Sequence, residues 1–90
     1  VNYQVPEGLQ VKPLSVKGRY FAFTATPPTV LQIDAAALLL LRLCDSGLNG
    51  EGLVARYAEL RRKSTADARA EVARRADNLV GVGLLKRLPA

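Results

Sequence analysis

The chain has 90 residues, 49% of them hydrophobic and 23% charged, with 13 Lys+Arg against 8 Asp+Glu for a formal net charge of +5. That length holds one domain with a modest core, and the positive balance favours an anionic partner without selecting one. There is no histidine and a single cysteine, which excludes a His-based triad, a His-containing zinc site and an internal disulfide.

Taken in chain order, residues 1–8 contain Pro6 and Gly8 and read as a flexible lead-in. Residues 9–88 read as one domain. It opens at 9–14 (LQVKPL), where alternation of apolar and polar residues predicts a half-buried strand. Pro13 limits that strand to an edge or an end. Residues 15–18 (SVKG) form a turn candidate. Residues 19–25 (RYFAFTA) are aromatic, bounded by turn signals, and make the clearest strand in the chain. Thr26, Pro27 and Pro28 interrupt the pattern. A third strand, 29–33 (TVLQI), follows.

Asp34 is suited to cap a helix over 35–44 (AAALLLLRLC). That helix is apolar nearly all round, so it should be the most buried one. Asp45, Ser46 and Gly47 stop it. Asn49 can cap a second helix in which Leu53, Val54, Tyr57 and Leu60 recur at helical spacing, ending at the basic run Arg61, Arg62, Lys63. Ser64 or Thr65 caps a third helix of about 18 residues. Its Ala68, Val72, Ala76 and Leu79 share a narrow arc, flanked on opposite sides by Arg69 and Arg75. Gly81 or Gly83 ends it, and 84–88 can add a short final strand. The expected fold class is α+β: a three-stranded antiparallel sheet followed by three helices, an order that suggests a winged helix-turn-helix-like domain.

Candidate chemistry is sparse. Cys44 sits within an apolar helix and reads as a small buried hydrophobe. Gly81-x-Gly83 lacks the Lys-Ser/Thr of a phosphate loop. The eight carboxylates fall mostly at caps and solvated faces. The expectation is a non-enzyme with no catalytic residue, no metal and no cofactor. The longest apolar run, 35–41, is far short of the ~20 residues of a membrane span. No signal-peptide layout opens the chain, and one cysteine fits a reducing compartment, so a cytoplasmic protein without membrane contact is expected.

The strand-to-helix passage VLQIDAAALLLLRLCDSG, the second helix LVARYAEL and the third helix with its exit, AEVARRADNLVGVGLL, together resemble the PqqD-like family. These are recognition elements that bind leader peptides during the biosynthesis of ribosomally made, post-translationally modified peptides. Asp34 stands where the family commonly has Asn, and the usual Asp-Gly turn is split as Asp45-Ser46-Gly47. The resemblance implies a peptide chaperone that takes a leader as an added strand beside Thr29, Val30, Leu31, Gln32 and Ile33. Arg69, Val72, Arg75 and Leu79 of the third helix would form the opposing wall. The implied partners are the precursor peptide and a modifying enzyme such as a radical SAM enzyme, a cyclase or a leader peptidase. A homodimer through the same strand edge is compatible with this. The alternative is a DNA-binding winged-helix transcription regulator reading duplex with the third helix. Against it, Asp67, Glu71 and Asp77 share that helix with its arginines, so nucleic acid is not the expected partner.

Overall fold

The computed structural model describes residues 2–25 and 28–88. The α+β order is present: β1 (Asn2–Gln4), β2 (Gln10–Pro13), β3 (Arg19–Ala25), β4 (Pro28–Asp34), α1 (Ala35–Asp45), α2 (Gly50–Arg61), α3 (Thr65–Gly81) and β5 (Lys86–Leu88). β2, β3 and β4 form the three-stranded antiparallel sheet in that order, and β1 and β5 pair separately as an antiparallel ribbon. Thr26 and Pro27, read as part of the break before the third strand, lie outside the described residues.

Two expectations are corrected. The lead-in is not loose throughout, because Asn2–Gln4 pairs with Lys86–Leu88 and Tyr3 enters the core. The cause is long-range: the Tyr3 N–H donates to the Asn49 side-chain oxygen at 2.9 Å. Asn49 sits at the N-cap of α2 but makes no capping hydrogen bond there, since that oxygen is spent on β1. β4 also begins one residue before the 29–33 read from the sequence. Pro28 is already in register opposite Ala25.

The sheet alternates. Val11, Tyr20, Ala22, Leu31 and Ile33 face the helices and join or pack against the core. Gln10, Lys12, Phe21, Phe23, Val30 and Gln32 take the opposite face, as the two-residue period of a strand requires. α1 is the central helix, burying Ala36, Ala37, Leu40, Leu41, Leu43 and Cys44. α3 buries Ala68, Val72, Ala76 and Leu79, the arc its sequence spacing predicts.

All three helices end in the same way. The N–H just after a left-handed residue returns to a carbonyl five residues back: Leu48 to Leu43, Lys63 to Ala58 and Leu84 to Leu79. This ending needs one residue in the left-handed region. Gly47 and Gly83 supply it for α1 and α3, at φ +95° and +84°. α2 uses Arg62 instead, at φ 54°, the only described non-glycine residue with positive φ.

Candidate functional site

The hydrogen-bond phase of the sheet can be fixed from its hairpin. The Leu14 N–H donates to the Arg19 carbonyl at 3.0 Å, which makes Leu14 and Arg19 a bonded pair. In an antiparallel ladder bonded and non-bonded pairs alternate. Pro13 and Tyr20 are then non-bonded, as a residue without an N–H requires, and Phe21 and Phe23 bond towards β2. It follows that Tyr20, Ala22 and Thr24 bond towards β4, to Ile33, Leu31 and Thr29 respectively. The N–H and C=O groups of Val30 and Gln32 point the other way, off the edge of the sheet. No other described backbone group bonds them. The same phase aims the missing N–H of Pro28 outward, which is why proline is tolerated inside the register.

The C-terminal half of α3 runs antiparallel beside this edge. At one end, Arg75 Nη1 donates to Asp34 Oδ1 and Oδ2 at 3.2 and 3.3 Å. At the other, a Cβ on Gly83 would lie 3.8 Å from Thr29 Oγ1. Between these points about 12 Å of helix faces about 17 Å of strand. Asn78 and Val82, three and seven residues on from Arg75, return to the same side of α3. Both are exposed. Neither was selected from the sequence, although the i+3 and i+7 spacing from Arg75 was available to find them.

The expected site residues divide. Thr29, Leu31 and Ile33 turn inward and hold β4 to β3, while Val30 and Gln32 offer the open edge. Val72 and Leu79 are core residues beneath the helix rather than an open wall. Arg75 is beside the edge but already occupied: besides Asp34, its Nε donates to Glu71 Oε1 at 3.3 Å. Arg69 is not brought to β4 at all. It bonds Glu51 of α2 at 2.7 Å and lines a separate cleft of about 210 Å³ with Tyr3, Leu53, Val54, Val72 and Ala73.

Asp34 does two things. It ends β4, and its carboxylate accepts the Ala37 N–H at 2.8 Å to cap α1. Burial pushes its pKa up, but the Ala37 hydrogen bond and the Arg75 charge outweigh this and hold it below the ordinary 3.8. Glu71 is similar: burial raises it, and Tyr57, Arg75 and Lys63 bring it below the ordinary 4.5. The Tyr57 hydroxyl and Glu71 Oε2 are sealed from solvent and form no bond of strict geometry. Burial raises the phenol's pKa, and the nearby Glu71 carboxylate raises it further. Lys63, at 3.6 Å from Glu71 Oε2, closes the network from the α2–α3 turn.

No protein-family model, curated protein or solved structure matches this chain. The family resemblance therefore rests on the residues that carry it. No group of three metal-ligating side chains occurs among the described residues, and no described helix is long and apolar enough to cross a membrane. Cys44 is buried, and burial pushes its thiol up to about 11. A thiol so placed is a poor nucleophile.

Proposed function

We propose that the chain is a non-catalytic peptide-binding module of the PqqD-like kind. It captures the leader of a ribosomally made precursor peptide as a strand added to β4 and presents it to a modifying enzyme. The observation that carries this reading is the outward aim of the Val30 and Gln32 backbone groups, beside the exposed flank of α3. An open strand edge is ordinarily shielded, and one set beside a helix is suited to strand addition, where backbone bonds give affinity and neighbouring side chains give selectivity. β2 is a weaker template: in its phase Val11 offers an outward N–H but Pro13 has none to offer. On this reading the protein works in the cytoplasm without a cofactor, and its enzyme partner is a radical SAM enzyme, a cyclase or a leader peptidase. A homodimer through β4 would be displaced by peptide.

The competing duplex-DNA reading is disfavoured by pairing on α3. Arg69, Arg74 and Arg75 each lie against a carboxylate, of Glu51, of Glu71, and of Asp34 and Glu71 respectively. A phosphate would have to displace these partners.

The test is residue-resolved hydrogen exchange with the short precursor peptide encoded beside the gene. The Val30 and Gln32 amides are expected to slow on binding. Those of Leu31, Ile33 and the buried Leu40 are expected to change little, because the fold already bonds them. Protection around Arg74 and Asp77, with Val30 and Gln32 unaffected, would overturn the reading.

A further inference from the structure

The outer face of the three-stranded sheet is not needed for the backbone bonds of strand addition, and its composition is unusual. The chain has 2 Phe, and both are on this face. Phe21 is 41% exposed, and neither Phe21 nor Phe23 joins the core. Val30, opposite Phe23, is 68% exposed. Phenylalanine is among the residues most often buried, so two phenylalanines outside the core, one exposed and one half-buried, point to a contact made there.

The charges on this face and on the hairpin that joins β2 to β3 are one-sided. Residues 8–33 contain Lys12, Lys17 and Arg19 and no carboxylate. None of the three makes an ion pair among the described residues, whereas all three α3 arginines do. Lys12 is directly opposite Phe21 in the register, and Arg19 is two residues before it on the same face. Asp34 stands opposite Arg19 and feels its charge, but its carboxylate is hydrogen-bonded by Arg75 and the α1 cap.

We infer that this face binds single-stranded nucleic acid, with Phe21 and Phe23 as stacking platforms and Lys12 and Arg19, with Lys17 of the adjoining hairpin, against the phosphates. The two rings project from positions about 7 Å apart along one strand, and sequence-tolerant single-strand binding combines such rings with a cationic surface. Size separates this occupant from a folded acidic protein. Three strands at ~4.8 Å spacing and about 20 Å long present ~300 Å², against the ~800 Å² per partner of a standard protein interface. Polarity separates it from a lipid surface. Gln10 and Gln32 are set among the apolar groups; their amides would lose hydrogen bonds in lipid but can bond base edges. The site is distinct from the α3 face considered for duplex DNA.

The experiment is fluorescence anisotropy of a labelled oligo(U) of about twelve nucleotides against the whole chain at about 50 mM salt. Saturable binding is expected, with a log–log salt slope near −2 from three phosphate contacts at ~0.7 each. Phe21→Leu keeps apolar bulk but removes the ring, and should weaken binding about fivefold to a hundredfold, as loss of one stacked base does. Phe23→Leu should act in the same range. Lys12→Gln should flatten the slope by about 0.7. Arg74→Ala on α3 should leave the affinity unchanged. Three results would each overturn the inference: no saturable binding of the oligonucleotide, equal affinity for a duplex of the same length, or binding that falls with Lys12→Gln and Arg74→Ala alike while ignoring both Phe→Leu variants. Adsorption to vesicles containing anionic phosphatidylglycerol without oligonucleotide binding would assign the face to lipid and likewise overturn it.

Discussion

Adjacent residues of β4 should respond oppositely to proline. Val30 has its N–H on the open edge and its side chain largely in solvent. In Val30→Pro the fold loses no hydrogen bond and little burial, and Thr29 before it is already extended, as a residue preceding proline must be. The expected cost is under about 1 kcal/mol. That is a melting shift of no more than about 4–8 °C for a domain of this size. Leu31→Pro removes the N–H that reaches Ala22, a fully buried strand residue. It strands a carbonyl, at about 1–3 kcal/mol, and reduces the packing of a half-buried leucine by about 1–2 kcal/mol more. A total of about 2–5 kcal/mol consumes much of the stability of a domain whose net stability is about 5 kcal/mol. Urea unfolding followed by circular dichroism measures both. Peptide affinity should show the complement: Val30→Pro forfeits one intermolecular bond of about 0.5–1.5 kcal/mol, roughly a two- to twelvefold loss. If Val30→Pro proves as destabilising as Leu31→Pro, the ladder phase is wrong, and with it the identity of the groups offered at the edge.

Arg62→Gly should stabilise the fold by about 0.5–1 kcal/mol in the same assay, because glycine relieves the left-handed strain that ends α2. Because folding lowers the pKa values of Asp34 and Glu71, the stability they contribute is present at neutral pH and is lost as pH falls below the ordinary 3.8 and 4.5 and through their lowered folded values; Asp34→Asn should make the unfolding free energy less sensitive to acid below pH 3.8, and a slope unchanged from the parent would refute the linkage. Cys44 should react with a thiol reagent such as Ellman's only after denaturation, since burial both hides it and holds it protonated at neutral pH. The purified chain mixed with its precursor peptide should produce no mass change by mass spectrometry.

Local signals in the sequence located the elements that depend on local physics. The aromatic run of 19–25 between turn signals, the cap at Asp34, the buried arc of α3 and the glycine at Gly83 are all set by neighbours within a few residues. What was not legible depends on distant partners. Asn49 has the residue type and position of a helix cap, and only the fold shows its oxygen turned to Tyr3, 46 positions away. β1 lacks a pattern of its own because its partner is β5 at the other end of the chain. The helical wheel places Arg69 and Arg75 on opposite flanks of α3, but it cannot say which flank meets β4. The Asp34–Arg75 bond decides that, and it also draws Asn78 and Val82 into the site in place of Arg69.

β4 passes into α1 at Asp34 and Ala35 with no connecting residue. Strand register and helix phase are thus one variable. A residue inserted within β4 would turn Leu31 and Ile33 to the opposite face. Compensating by a slip at the junction would instead rotate the Leu40, Leu41 and Cys44 face of α1 by about 100° against the sheet. The hairpin at residues 15–18 carries no such coupling, since its ends meet only each other. Length variation in this domain should therefore collect at the hairpin and be excluded from the strand–helix junction. The spacing from Val30 to Asp34 then acts as a fixed ruler between the open edge and the carboxylate that anchors α3 beside it.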